Sequence, residues 1–189
     1  MKDDEKTRKR GVKERKSKFS LYNILLTGIQ TFLFISQLIM FFLLQYEIWS
    51  WILFYLGFIC WGISVYLGFI PFYIFKKEGE VEKGKSYVHT NKVVTKGPYS
   101  LIRHPQYLAG IFLSIGITLL TQTLLHFIIT ILIIVLTYLW TIQEDKMLIN
   151  KFGQDYIEYK ENVTRLNPLY GIYKYFVKRK HLKTDNMIN

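Results

Sequence analysis

A single cysteine, Cys60, occurs among the 189 residues, and it lies inside an apolar run. One cysteine cannot form an internal disulfide, and it cannot build a cysteine-rich metal site. The four histidines do not approach metal-ligand spacing with one another. The sequence therefore predicts a protein that binds no metal.

Charge is also missing from two long stretches. Between Phe19 and Phe75 the only charged residue is Glu47, and between Gln106 and Gln143 there is none. Half of all residues are hydrophobic, yet the formal net charge is +11. A soluble protein rarely combines these properties, whereas a membrane protein does so by placing apolar residues in lipid and basic residues in loops. We therefore expect membrane lipids, and no nucleic acid, around this chain.

The apolar stretches predict an all-α integral membrane protein with about four transmembrane helices. About 20 apolar residues span a bilayer. The predicted spans are residues 21–45, 48–75, 107–120 and 124–140. The first is too long for the apolar core of a secretory signal and has no cleavage site, so it is predicted to be retained. The last two are short and form a helical hairpin around a polar turn.

The polar segments complete the predicted organisation. Residues 1–18 form a basic tail, residues 19–75 a transmembrane hairpin, residues 76–168 the functional core, and residues 169–189 an amphipathic surface helix with its tail. Within the core, residues 143–163 predict a charged helix with an apolar stripe. The aromatic and basic residues of the 169–182 segment are typical of a helix that lies on an anionic leaflet.

The basic residues also predict the orientation. All 25 Lys and Arg fall in residues 2–18, 76–103 and 146–183, and the two remaining connections carry none. Short loops rich in Lys and Arg stay in the cytoplasm. With an even number of spans, both termini and the central loop are expected to be cytoplasmic.

Two clusters carry candidate chemistry. Pro105 is suited to the first position of the third span, so Arg103 and His104 lie where a helix start favours anions. Glu144 and Asp145 end the fourth span, where acids oppose the helix dipole unless a cation answers them. If the last two spans form a hairpin, the clusters meet. The alternatives are that Arg103 anchors the topology, that His104 caps the helix, and that the acids form a surface pair.

A third cluster follows the acids and consists of apolar, mostly aromatic residues at helical spacing. It comprises Leu148, Phe152, Tyr156 and Tyr159, with Gly153 breaking or bending the helix. The tyrosines suit a membrane interface or stacking on a flat ring. Packing alone is the other explanation for such a stripe.

Together the three clusters resemble the isoprenylcysteine carboxyl methyltransferase family, which is related to the membrane phospholipid methyltransferases. The resemblance covers residues 93–168, and both the order and the spacing match. There are two departures. The family's second acid is Glu, and here it is Asp145, one methylene shorter; the small residue two after Tyr107 is Ala109, with Gly110 following. The matching residues are Gly97, Pro98, Tyr99, Arg103, His104, Pro105, Tyr107, Glu144, Leu148, Phe152, Gly153, Tyr156, Tyr159, Val163, Arg165 and Pro168.

The resemblance implies a methyltransferase that uses S-adenosylmethionine on a lipophilic acceptor. The reaction that it favours is carboxyl methylation of a prenylcysteine-like substrate. It implies that the cofactor is held by Tyr99, Arg103, His104, Tyr107, Glu144, Asp145 and Tyr156. Arg165 is the candidate catalytic residue, because a guanidinium can orient a carboxylate acceptor through two hydrogen bonds. The alternatives are a phospholipid or other lipid N-methyltransferase, a non-catalytic membrane module with this fold, and a related nicotinamide-dependent membrane reductase.

Overall fold

The protein is described by a computed structural model that covers residues 2–78, 90 and 92–177, with side chains described from residue 21 onward. In this part of the chain the regular structure is helical, apart from a 3₁₀ turn at Gly97–Ser100 and an isolated bridge between Ile102 and Thr164. The helices are α1 (Lys2–Leu43), α2 (Trp51–Glu78), α3 (Pro105–Thr121), α4 (Leu124–Phe152), α5 (Gln154–Asn162) and α6 (168–177).

The predicted all-α membrane architecture is confirmed. Three segments are long and apolar enough to cross a membrane: Leu21–Leu43 of α1, Trp51–Glu78 and Leu124–Phe152. The helix α3, Pro105–Thr121, is also apolar but shorter, and it lies between α2 and α4 in the chain. The helices α3 and α4 form the expected hairpin. Gln122 adopts the left-handed conformation between them (φ 50°), and the Thr123 hydroxyl accepts a hydrogen bond from the His126 N–H.

Two predicted boundaries are wrong. The fourth span does not stop at Trp140, because α4 continues to Phe152 and contains the first half of the predicted helix 143–163. Residues 124–152 contain no Gly or Pro that could interrupt the helix. The helix ends at Gly153, which has a positive φ of 60°. The first two spans are separated by the non-helical residues 44–50 rather than by a two-residue turn.

That linker is held by the turn between α3 and α4. The Gln122 side-chain oxygen accepts from the backbone N–H groups of Trp49 (3.0 Å) and Ser50 (2.8 Å). Its amide nitrogen donates to the Ser50 carbonyl (2.8 Å). One side chain thus binds three backbone groups of the non-helical linker, and the Ser50 carbonyl also accepts from the Phe54 N–H (3.1 Å).

The helices α2 and α3 pack closely through two glycines. A Cβ on Gly57 would lie 3.1 Å from the Gly116 carbonyl oxygen and 2.8 Å from Leu120 Cγ. A Cβ on Gly116 would lie 2.4 Å from Trp61 Cδ1. Small residues allow helix backbones to approach in this way within a membrane. Nearer the other end of the pair, the Ser64 hydroxyl donates to the Ala109 carbonyl (2.8 Å).

A buried polar cluster joins α1 to the α3–α4 hairpin. Gln37 is fully buried, and its amide donates to the Thr130 hydroxyl (3.0 Å) while its oxygen accepts from the Ser114 hydroxyl (2.8 Å). One turn further along α3, the Thr118 and Thr130 hydroxyls lie 2.7 Å apart. Hydrogen bonds of this kind hold helices together where lipid offers no hydrophobic driving force.

The start of the segment that was predicted to be an amphipathic surface helix lies within the described residues. Residues 168–177 are helical, and the Asn167 side chain accepts from the Tyr170 N–H (3.0 Å) at the helix start. Leu169, Tyr173 and Phe176 are well exposed along it. The remainder of the predicted helix and tail lies outside the described residues. Because α2 and α4 end where α3 begins, the N-terminus of α3 and the residues of α5 and α6 gather at one end of the bundle, here called the site end.

Candidate functional site

Two segments that are 60 residues apart in the chain lie side by side at the site end. The Arg103 N–H donates to the Thr164 carbonyl (2.8 Å), and the His104 N–H donates to the Arg165 carbonyl (3.3 Å). The Thr164 hydroxyl donates to the Leu101 carbonyl (2.9 Å). This short parallel pairing holds both arginines next to the first turn of α3.

The Asp145 carboxylate is the centre of the site. It projects from α4 and is buried, and both of its oxygens accept hydrogen bonds. Its Oδ1 accepts from His104 Nε2 (2.9 Å) and the Tyr156 hydroxyl (2.6 Å). Its Oδ2 accepts from Arg103 Nη2 (3.2 Å) and Arg165 Nε (3.0 Å). A buried carboxylate requires such partners, and here they come from three segments of the chain.

This arrangement fixes the orientation of the His104 ring. A carboxylate only accepts hydrogen bonds, so His104 Nε2 carries the proton that points to Asp145. In the neutral imidazole, Nδ1 is then a hydrogen-bond acceptor. It lies 3.8 Å from Glu144 Oε2, which is too long for a hydrogen bond.

Glu144 presents an oxygen without a partner. Its Oε2 is buried and has no hydrogen-bond partner among the residues that the structure describes. The Tyr107 hydroxyl lies beside the same carboxylate and accepts a hydrogen bond from Trp140 Nε1 (2.5 Å). The buried Nε of Arg103 is likewise without an acceptor in the described part of the chain. A buried polar atom left in this way is costly unless a ligand satisfies it.

These groups line a cavity of about 160 Å³. The volume is below the roughly 300–1,000 Å³ of typical small-molecule sites, so a ligand of cofactor size would extend beyond the enclosed part. Most of the wall is apolar or aromatic. The lining residues are Phe75, Thr90, Lys92, Val93, Val94, Tyr99, Arg103, His104, Pro105, Gln106, Tyr107, Glu144, Leu148, Lys151, Phe152, Tyr156 and Tyr159.

Two tyrosines of α5 close one side of this cavity. The Tyr159 hydroxyl donates to the Tyr99 carbonyl (2.7 Å), which ties α5 to the 3₁₀ turn. Burial raises the pKa of both Tyr156 and Tyr159, and for Tyr156 the hydrogen bond to Asp145 acts in the same direction. Both hydroxyls are therefore neutral donors at physiological pH.

The structure brings most of the residues singled out from the sequence to this one cavity. Six of the eight line it: Tyr99, Arg103, His104, Tyr107, Glu144 and Tyr156. The other two do not. Asp145 lies behind the wall with its oxygens engaged, and Arg165 lines a separate groove on the far side of Asp145.

Sequence reasoning assigned no site role to several other lining residues. Leu148, Phe152 and Tyr159 belong to the aromatic stripe, so their spacing was the available signal. Phe75 sits at the end of an apolar run, and nothing in the sequence separates it from lipid-facing aromatic residues. The same holds for Trp140, which does not line the cavity but donates to the Tyr107 hydroxyl. Among the described residues, no group of three or more His, Cys, Asp or Glu side chains could hold a metal ion.

A family model described as phospholipid methyltransferase matches residues 52–155, which is more than half of the chain. The chain belongs to the phospholipid methyltransferase family. The assignment makes it a membrane methyltransferase with lipid-type substrates. The matched range of this methyltransferase contains α3, α4 and the cavity residues up to Phe152, whereas Tyr156 and Arg165 lie beyond it. Comparison with curated proteins gave no match, and comparison with solved structures gave none.

Proposed function

We propose that this membrane methyltransferase binds S-adenosylmethionine in the cavity at the site end and methylates a lipophilic acceptor there. The observation that carries the proposal is that Glu144 and Arg103 both line one partly aromatic cavity, and each has a buried polar atom, Oε2 and Nε, without a hydrogen-bond partner among the described residues. The amino-acid end of the cofactor offers an ammonium and a carboxylate, which are the complementary charges. The tyrosines of the wall suit the adenine ring.

Each polar group has a proposed task. Glu144 Oε2 and His104 Nδ1 both accept hydrogen bonds, so this corner suits the ammonium of the cofactor. Arg103 supplies a donor to its carboxylate. The sequence placed His104 where a helix start favours anions, but its Nε2–H donates to Asp145 rather than to a ligand. We assign Asp145 to holding His104 and Arg103, rather than to direct cofactor contact.

When bound, S-adenosylmethionine supplies a methyl group on a sulfonium, and the protein contributes alignment. The acceptor atom would bond to that methyl carbon, and the electron pair of the broken carbon–sulfur bond would remain on sulfur. A carboxylate acceptor needs no base for this step. The proposed contribution of the residues is therefore to hold the donor in line with an acceptor about 3–3.5 Å away and to exclude water.

The finer proposal for the acceptor is a prenylcysteine-like carboxylate. It is supported by the resemblance of residues 93–168 to the carboxyl methyltransferases. A lipid amine is the second candidate, supported by the match of residues 52–155 to the phospholipid methyltransferase model. An ammonium acceptor must lose a proton before it attacks, so this reaction needs a base as well as the cofactor-binding groups.

One assay separates these proposals. Purified protein is incubated with cofactor that carries a labelled methyl group, together with prenylcysteine analogues or aminophospholipids. A methyl ester releases labelled methanol in mild base, whereas an N-methyl group does not. Label in neither acceptor class, with the cofactor still bound in a calorimetric titration, would support the non-catalytic alternative.

The orientation is also proposed, on the basis of charge. Lys76 and Lys77 end α2 at the site end, Lys92 and Lys151 line the cavity there, and the turns at the other end carry no Lys or Arg. By the positive-inside rule, the site end and both termini face the cytoplasm. A prenylated or phospholipid acceptor in the inner leaflet would then present its polar head at the depth of the cavity.

A further inference from the structure

A groove between α3 and α4 lies apart from the methyl-transfer cavity. It has a volume of about 330 Å³, and none of its lining residues also lines that cavity. Its walls are apolar side chains of the two helices, and Arg165 supplies its charged group. The lining residues are Leu108, Ile111, Ile134, Tyr138, Arg165, Leu166 and Asn167.

The groove lies on a lipid-facing side of the bundle. Tyr138 is half exposed, and its α4 neighbours Ile131, Val135 and Leu139 are exposed as well. This helix is long and apolar enough to span a membrane. Such a surface is in contact with acyl chains, and the groove gives one chain a recess between two helices.

The charge of the groove comes from the way in which two arginines share one acid. Arg165 Nε and Nη2 both lie 3.0 Å from Asp145 Oδ2, and Arg103 Nη2 lies 3.2 Å from the same oxygen. One carboxylate faces two guanidinium groups, so these three residues carry a net positive charge. The Arg165 side chain remains 22% exposed, and its guanidinium lies 5.2 Å from the Tyr138 ring centre.

We propose that this groove is a binding site for an anionic phospholipid, with an acyl chain between α3 and α4 and the phosphate against Arg165. The net positive charge of Arg103, Arg165 and Asp145 favours a headgroup of net negative charge over a zwitterionic one, whose ammonium group it repels. The guanidinium binds the phosphate oxygens through hydrogen bonds as well as charge. The bound lipid is not the methyl acceptor. Arg165 and the other groove residues do not line the cavity, whereas transfer needs an acceptor about 3–3.5 Å from the methyl donor.

Native mass spectrometry of the full chain, released from detergent, tests this site. The protein is titrated with phosphatidylglycerol and, in parallel, with phosphatidylcholine of the same acyl chains. Wild type is expected to retain one phosphatidylglycerol in preference to phosphatidylcholine. Ile134→Trp fills the groove and should lose this bound lipid. Val135→Trp adds the same ring at the neighbouring exposed position outside the groove and should retain it.

A second variant examines the charge. Arg165→Gln should weaken phosphatidylglycerol binding roughly tenfold, the scale of one lost charge-assisted contact, and should remove the preference over phosphatidylcholine. Arg165 also binds Asp145, so the thermal unfolding of this variant is measured in parallel to detect a loss of stability. The Ile134→Trp variant leaves the contact between Arg165 and Asp145 in place. Equal retention of both lipids by wild type, or wild-type lipid binding by Ile134→Trp, overturns the proposal.

A third measurement separates a lipid site from an acceptor site. The apparent KM for the methyl acceptor is measured for Ile134→Trp and Val135→Trp in the same labelled-cofactor assay. Equal KM values are expected. A raised KM for Ile134→Trp with phosphatidylglycerol binding intact would assign the groove to the acceptor and overturn the proposal. Since lipid retention is measured without methyl transfer, its outcome is independent of the proposed enzymatic activity.

Discussion

His104 and Asp145 are joined by a buried hydrogen bond of 2.9 Å, and this bond decides which nitrogen of the imidazole faces a ligand. The carboxylate accepts a hydrogen bond from Nε2–H, so in the neutral imidazole the other nitrogen, Nδ1, is an acceptor beside Glu144. The same carboxylate holds Arg103 and Arg165. Asp145 thus positions the His104 ring and balances the charge of the two arginines, so the ligand-binding corner depends on this one aspartate.

Replacement of that aspartate is expected to destabilise the fold as well as the site. In Asp145→Asn, two guanidinium groups lose their shared counter-charge in a buried position, which costs about 3–5 kcal/mol. Thermal unfolding in detergent should show a clearly lowered Tm, and cofactor binding should be lost. Asp155→Asn removes an exposed acid from α5 and is the matched control. A wild-type Tm for Asp145→Asn would contradict the role assigned to this residue.

Cofactor affinity is expected to fall without unfolding when the ligand-facing groups are changed. His104→Ala and Glu144→Gln each remove one charge-assisted contact, worth roughly 1.5–3 kcal/mol, or about ten- to a hundredfold in Kd. Calorimetric titration with S-adenosylmethionine measures this effect. Glu158→Gln, on an exposed face of α5, should bind like wild type. Unchanged affinity in both His104→Ala and Glu144→Gln would put the cofactor pocket elsewhere.

The hydrophobic pattern predicted the helices better than their ends. Long uncharged runs identified all four apolar helices, because lipid exposure requires apolar side chains along a whole span. Hydropathy falls after Trp140, yet α4 continues to Phe152, because no helix-breaking Gly or Pro occurs before Gly153. The polar contacts of Gln37 and Gln122 were not predicted, since single polar residues in apolar surroundings do not reveal their partners.

The site could be predicted at the level of clusters but not of individual roles. The hairpin topology was sufficient to bring Arg103 and His104 to the acidic pair. Adjacent residues on a helix point about 100° apart, so Glu144 and Asp145 have different neighbours. Which one faces the cavity depends on the rotation of α4. The location of Arg165 depends on the pairing of residues 102–104 with 164–165, for which the sequence carries no local signal.

The close contact of α2 with α3 predicts a position-specific effect of adding one methyl group. In Gly57→Ala, the new Cβ would meet the Gly116 carbonyl oxygen at 3.1 Å and Leu120 Cγ at 2.8 Å. The helices would have to separate, at a cost of about 1–3 kcal/mol. Gly62→Ala on the same helix meets nothing within 4 Å and serves as the control. Tm measured in detergent should fall for the first variant only; equal values would argue against this packing.

The proposed orientation predicts which cysteines a membrane-impermeant reagent reaches. In a Cys60→Ser background, Leu124→Cys labels the exposed start of α4, and Lys96→Cys labels an exposed position at the site end. Leu124 is preferable to Gln122, whose side chain holds the linker between α1 and α2. Intact cells should label position 124 and not position 96. The reverse pattern would place the site outside the cytoplasm.

The conservative variant Arg165→Lys separates the two roles that this residue has been given. The side chain reaches Asp145 Oδ2 through both Nε and Nη2, and a lysine keeps the charge but loses the planar guanidinium. If Arg165 acts by holding Asp145, the variant should lower Tm and weaken cofactor binding, because His104 and Arg103 depend on the same carboxylate. If instead it grips an acceptor carboxylate, as the sequence suggested, cofactor affinity should stay near wild type while turnover falls. Calorimetry and the labelled-methyl assay on one preparation measure both quantities. We expect the first outcome, since Arg165 lies on the far side of Asp145 from the cavity.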